Sequence, residues 1–199
     1  MRIGTGATAC IYLLPPVLRN LRRRFPTLEI TVTTGNTADV LKALDENTLD
    51  LGLVTLPAAG RMLEVTPVLE DAFVAIAAAD DDRLPAVVTP AALAKLPVIL
   101  YEAGGNTRRI VDQWFAQAGV SVAPVMDLGS VEAIKEVVGA GLGCAVLPGS
   151  AMQRTGERVP IVSRPLSPKL QRELALVIRR VKTLTRGLQE TIKALQRLS

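Results

Sequence analysis

Residues 2–55 read RIGTGATACIYLLPPVLRNLRRRFPTLEITVTTGNTADVLKALDENTLDLGLVT. The run 2–5 is a short strand, and a turn of Gly, Ala and Thr follows it. From 8 to 25, Leu14, Leu18, Leu21 and Phe25 recur at intervals of three and four, which sets them on one face of a helix. Arg19, Arg22, Arg23 and Arg24 crowd the end of that helix, where cations suit its dipole, and Pro26 stops it. Residues 28–34 alternate apolar and polar side chains, as a half-buried strand does. Asn36 or Thr37 is placed to cap a helix carrying Val40, Leu41 and Leu44, and 51–55 is a third strand. The stretch reads β-α-β-α-β, one doubly wound half of an α/β protein.

A similar unit follows. Residues 65–69 and 72–78 read as two strands, 97–101 as a strand, 104–107 as a turn and 108–118 as a helix. Next come a strand at 122–127, a helix at 130–138 and a strand at 144–147 that Pro148 ends. Strands at 158–162 and 173–178 and an amphipathic helix over 184–198 close the chain. Strand-like crossings at about 72–79 and 163–178 join the halves. The expected architecture is therefore α/β, with two doubly wound Rossmann-like lobes around a cleft: lobe I over 1–76 and 178–199, lobe II over 77–177.

Composition narrows the function. The 199 residues are 49% hydrophobic and 21% charged, ordinary for a globular protein, and only 3% aromatic, so Ala, Val, Leu and Ile must build the core. No apolar run approaches the roughly 18 residues that cross a bilayer, and the first residues lack the pattern of a signal peptide. There is no histidine, which excludes Ser–His and Cys–His nucleophiles, histidine-ligated zinc and histidine proton shuttles. The two cysteines, Cys10 and Cys144, have no metal or redox spacing and fit a reducing, cytoplasmic compartment. Net charge is +4, and eight basic residues from Lys169 onward face two acidic ones, Glu173 and Glu190. A basic tail can touch nucleic acid, but these charges are spread along a helix, which favours a solvated face.

In open α/β sheets ligands sit beyond the carboxyl ends of strands, at helix N-termini whose N–H groups suit anions. Four turns qualify: Thr5-Gly6-Ala7-Thr8, Gly35-Asn36-Thr37, Gly104-Gly105-Asn106-Thr107 and Gly129-Ser130. Each also fits a plain helix cap. Two from each half point to ligand binding if the halves face each other. Gly4-Thr5-Gly6 matches half of a dinucleotide fingerprint, but the third glycine and the ribose-binding acid are missing. Asp39, Asp45, Glu46 and Asp50 read as solvated, and Asp80-Asp81-Asp82 as a surface loop lacking the Gly and Glu of a calcium site. Cys10 is either a reactive thiol near a helix start or a small residue lining the cleft, and Cys144 is core. Without paired carboxylates, an activated nucleophile or metal ligands, the residues suit holding a ligand rather than transforming it. No enzyme activity, cofactor or metal is expected.

Arg2-Ile3-Gly4, then Tyr12-Leu13-Leu14-Pro15-Pro16 and Phe25-Pro26, resemble the start of the effector-binding region of LysR-type transcriptional regulators. Gly35-Asn36-Thr37, Leu44 and Leu49-Asp50-Leu51-Gly52-Leu53-Val54 continue the resemblance in order. So do Ser130-Val131-Glu132-Ala133-Ile134-Lys135, Gly139-Ala140-Gly141-Leu142-Gly143 and Val146-Leu147-Pro148, and the likeness spans essentially the whole chain.

The resemblance implies a type II periplasmic-binding-protein-like fold with a small-molecule effector between its lobes. It implies a homodimer or tetramer, no membrane contact, and DNA binding only through an N-terminal winged helix-turn-helix that is not in this chain. It places Ala7, Thr8, Asn36 and Thr37 of lobe I, and Gly105, Asn106, Thr107 and Ser130 of lobe II, as ligand-binding residues. The Gly-Asn-Thr form at 35–37 is similar to the branch that senses small inorganic or carboxylate anions, although Ala7 stands where many members carry a hydroxyl. Leu18, Leu21 and Trp114 are the apolar candidates for the dimer contact that the resemblance implies. The alternative is a transporter's solute-binding protein on the same fold, which would carry a signal peptide or lipidated cysteine. A dehydratase or transferase on this scaffold would need catalytic residues that are not seen.

Overall fold

In the computed structural model, which describes residues 1–152 and 160–198, the opening strand β1 (Arg2–Thr5) leads through α1 (Ala7–Tyr12) and α2 (Leu14–Arg24) to β2 (Thr31–Thr34). Then come α3 (Thr37–Asp45), β3 (Leu51–Thr55) and the long β4 (Leu63–Ala78). The middle of the chain forms α4 (Pro90–Leu93), β5 (Val98–Tyr101), α5 (Asn106–Gln117), β6 (Met126–Leu128), α6 (Val131–Gly139), β7 (Cys144–Pro148) and a short turn of 3₁₀ helix at Gly149–Met152. After β8 (Ile161–Pro165), β9 (Gln171–Arg179) and α7 (Arg186–Leu195) finish it. Two units result: unit 1 is Met1–Glu70 with Glu173–Ser199, and unit 2 is Asp71–Arg172. The chain passes between them along β4 and β9.

In unit 1, β1 lies between β2 and β3 and parallel to both, while β9 runs antiparallel along the far side of β3. Ile3, Leu51, Leu53, Leu174 and Leu176 from the sheet pack with Leu14, Leu21, Leu188 and Leu195 from α2 and α7. On the other face Val40 and Leu44 of α3 sit close to the strands, which Gly4 and Gly52 permit. These glycines stand opposite each other in β1 and β3, and a Cβ at Gly52 would come within 2.9 Å of Val40.

Unit 2 has the order β8-β4-β7-β5-β6, with β4 antiparallel to β7 and β8 and with β5 parallel to β7 and β6. Its core joins Phe73, Ala75 and Ala77 of β4 to Val111, Trp114 and Phe115 of α5. The Trp114 and Phe115 rings meet edge to face at 5.1 Å, and Trp114 Nε1 donates to the Pro168 carbonyl at 2.9 Å.

Four elements differ from the sequence reading for physical reasons. The helix expected over 8–25 is two, because Pro15 and Pro16 have no N–H and occupy the first turn of α2, where those donors lack partners in any case. β2 starts at Thr31, opposite Arg2, because Leu28 N–H turns back to the Phe25 carbonyl. The strand expected over 122–127 shrinks to β6, downstream of Pro124, which has no donor for a ladder. The two strands expected at 65–69 and 72–78 are one, β4, which runs straight through Glu70 and Asp71. The expected strand at 158–162 corresponds to β8, and its residues 158 and 159 lie outside the described residues. Leu21 and Trp114, expected at a dimer surface, are 1% and 2% exposed and belong to the cores of units 1 and 2, so neither can face a partner. Leu18 is half-buried against the unit 1 core.

Among the described residues no helix is long and apolar enough to cross a membrane. One ion cluster ties the amino-terminal edge of the unit 1 sheet: Asp50 accepts from the Arg2 backbone N–H at 2.8 Å, pairs with the Arg2 guanidinium at 2.9 Å, and is met by Lys182. Hydrogen bonding from Arg2, then from Lys182, holds the Asp50 carboxyl well below the usual carboxylate range against the opposing pull of burial. A depressed folded-state value means that this stabilisation is complete above the unfolded value of about 4 and is lost as pH falls toward the folded value. Asp50→Asn is therefore expected to lower the urea midpoint at neutral pH, with the gap to the native chain narrowing at about pH 3.

Candidate functional site

Because β1, β2 and β3 are parallel, their carboxyl ends share one edge of unit 1. The Gly35 N–H donates to the Thr5 carbonyl at 3.0 Å and draws the turns after β1 and β2 together. Two threonine hydroxyls reach across to β3: buried Thr5 donates to the Leu53 carbonyl and Thr37 to the Thr55 carbonyl, each at 2.9 Å. Asn36 is the cap of α3. Its Oδ1 accepts from the Asp39 N–H at 3.0 Å, and Asp39 returns a bond to the Asn36 N–H at 3.3 Å. The start of α1 differs, since its cap is Gly6, with no side-chain bond and nothing within 4 Å of where a Cβ would stand. Ala7 is exposed there and Thr8 is buried.

The corresponding edge of unit 2 is built by the parallel pair β5 and β6. The Glu102 N–H donates to the Leu128 carbonyl at 3.1 Å, joining the turn before α5 to the turn before α6. Gly104 has φ +98°, a conformation open to glycine, and Gly105 caps α5 without a side-chain bond and with open space around it. Gly129 is tight instead, since a Cβ would lie 2.9 Å from the Glu102 carboxylate. Ser130 caps α6, its Oγ accepting from the Ala133 N–H at 3.5 Å. Asn106 Oδ1 accepts from Arg109 at 3.2 Å. Arg108 braces the pair of strands by donating to the Tyr101 carbonyl, to Asp127 and, at 2.9 Å, to Asp112.

Each group of four expected residues is thus gathered within its own unit: Ala7, Thr8, Asn36 and Thr37 at the strand ends of unit 1, and Gly105, Asn106, Thr107 and Ser130 at those of unit 2. A groove of about 480 Å³ in unit 1, lined by Asp50, Arg179, Lys182 and Leu188 among others, contains none of them.

Sequence reasoning passed over three residues of unit 2. Arg172 Nη2 and Nε donate to Asp71 Oδ2 at 2.8 and 3.1 Å, with the side chains 3% and 4% exposed. The Ser150 N–H and hydroxyl also donate to Asp71, at 3.0 and 2.7 Å, and Arg172 Nη1 reaches Thr107 Oγ1 at 3.3 Å. The signal in the sequence was a charged residue at an inward position of each crossing strand. Cys144 is buried, and burial, followed by the nearby Asp81 charge, pushes its thiol up to about 12, so it stays protonated and inert at neutral pH. Cys10 is half-buried in unit 1 and is likewise unpaired with another cysteine. Among the described residues no group of acids and cysteines could hold a metal.

Removing one member of a buried pair strands the other charge. Asp71→Ala is expected to cost about 3–5 kcal/mol in chemical denaturation, while Asp71→Leu combined with Arg172→Met loses much less.

The model of the LysR substrate binding domain family matches residues 1–199. The HTH-type transcriptional regulator YeiE of Escherichia coli K12 is 34% identical over 191 residues, covering 95% of this chain and 65% of that protein. The HTH-type transcriptional activator CmpR of a Synechocystis species is 27% identical, over 81% of this chain and 53% of the activator. Among solved structures, the Synechocystis PCC6803 CcmR regulatory domain in complex with 2-PG superposes with a TM-score of 0.87 at 26% identity, covering 98% of this chain and 95% of that one. A Corynebacterium glutamicum OxyR C206 mutant gives 0.86 at 21% identity, over 100% of this chain and 63% of the mutant, a likeness of fold. The chain thus spans about two-thirds of the length of YeiE. Its α/β architecture is the type II periplasmic-binding-protein-like fold of regulatory domains, and the chain belongs to the LysR substrate-binding domain family.

Proposed function

We propose that this chain is the effector-sensing regulatory domain of a cytoplasmic LysR-type transcription regulator. It binds a small anion through Ala7, Thr8, Asn36 and Thr37 of unit 1 and Gly105, Asn106, Thr107 and Ser130 of unit 2, and it carries out no catalysis. Binding favours one of two conformations of the domain, and a homodimer or tetramer passes that preference to DNA-binding segments elsewhere in the protein. The observation that carries the reading is the start of α5. Its cap, Gly105, makes no side-chain bond and has open space where a Cβ would stand, so an anion has room to approach the positive end of the helix dipole. The similar CcmR regulatory domain, solved in complex with 2-PG, supports the reading of a ligand-binding domain. A transporter's solute-binding protein is not favoured, since YeiE and CmpR are transcriptional regulators.

A thermal-shift panel of sulfur oxyanions, phosphate, short carboxylates and aromatic acids tests the reading. A ligand at 100 times its Kd adds about 2.7 kcal/mol, which for a chain of this length raises Tm by about 5–10 °C. A panel in which no anion moves Tm counts against an anion sensor. Thr37 must release its proton from the Thr55 carbonyl to donate to an anion, and Thr37→Val, which removes that donor, is expected to weaken the best anion by about 1–3 kcal/mol in calorimetry. Unchanged affinity would remove Thr37 from the site.

A further inference from the structure

A hydroxyl has one proton and two lone pairs, so what it offers a ligand depends on what already holds it. Thr37 gives its proton to the Thr55 carbonyl and presents lone pairs. Thr107, in the first turn of α5, is the opposite case: its Oγ1 accepts from Arg172 Nη1 at 3.3 Å. With a guanidinium donor on one lone pair, the Thr107 proton is directed away from Arg172. The guanidinium is itself pinned, because Nε and Nη2 both donate to Asp71 Oδ2 and the Ser150 N–H and hydroxyl also hold that carboxylate. The two charges are buried together and offset each other, so Arg172 brings orientation to the turn rather than net charge.

We propose that Arg172 is a positioning residue for anion binding by unit 2: through Nη1 it holds the Thr107 oxygen and turns the hydroxyl proton toward the bound anion. The inference rests on the anion-sensing reading above and extends it to a residue that touches no ligand. Asp71 and Arg172 are also the first and last residues of unit 2. A bond from an anion to Thr107 therefore continues, through Arg172 and Asp71, to both points at which the chain enters and leaves that unit.

Calorimetric titration with inorganic sulfate, inorganic phosphate and acetate tests this on the wild-type chain and on Thr107→Val, Thr107→Ser, Arg172→Lys and the Arg172→Lys/Thr107→Val double variant. Native far-UV circular dichroism is checked for each. Lysine keeps the charge beside Asp71 but lacks the planar fork that holds Asp71 and Thr107 at once. Thr107→Val and Arg172→Lys are each expected to weaken the tightest of the three anions by about tenfold, while Thr107→Ser stays within about threefold. The double variant is expected to bind no worse than the weaker single one, because Arg172 acts through the hydroxyl. Effects that multiply, or an Arg172→Lys chain that binds like wild type, overturn the inference and leave the anion site standing. If Arg172→Lys fails to fold, the Arg172 Nε–H resonance decides. It is expected to shift on saturation with the anion in wild type and Thr107→Ser but not in Thr107→Val, and a resonance that stays put in wild type overturns the inference. No binding heat from any of the three anions overturns the anion reading itself, and the inference with it.

Discussion

Two charges taken out of water need each other, and this chain buries such a pair where it passes from one unit to the other. Asp71 and Arg172 would each face a desolvation cost of several kcal/mol alone. Together, with the Ser150 N–H and hydroxyl completing the carboxylate's partners, they form a satisfied network inside unit 2. Much follows from that requirement. β4 can run through an acidic residue without breaking, the turn after β7 must bring Ser150 to the carboxylate, and the one guanidinium nitrogen not bonded to Asp71 is aimed at the start of α5.

The same logic of satisfied donors separates the helix starts. Asn36 and Ser130 close α3 and α6 with their own side chains, so the amides they cap already have partners. Gly6 and Gly105 close α1 and α5 with nothing but backbone. In each unit, then, one of these helix starts is capped by its own side chain and its neighbour by backbone alone. That division follows from side-chain chemistry at four positions, and it explains why residues of similar type play different parts.

Much of this was legible from local pattern. The short strands read at 2–5 and 51–55 correspond to β1 and β3, and of the two cap candidates at 36 and 37 it is Asn36 that caps α3. Local pattern misled where a second influence acted at close range. The helix read over 8–25 breaks at Leu13, with two prolines in the first turn of its second part, and Leu21 and Trp114 went to the interior rather than to a surface. The buried pair was out of reach for a different reason. Asp71 and Arg172 are 101 residues apart, and nothing near either one announces its partner. A charged side chain at an inward strand position is a question whose answer lies in the tertiary fold.

Trp114 is the chain's one tryptophan, and it is packed on α5 against Phe115, sealed from solvent. Light absorbed by an indole alone therefore excites unit 2 and leaves unit 1 dark. The helix that carries the indole is also the helix whose first turn holds Thr107. Nature has placed a single optical label at the far end of the element that begins at the candidate anion turn, so changes in that half of the molecule can be followed by emission without modifying a residue.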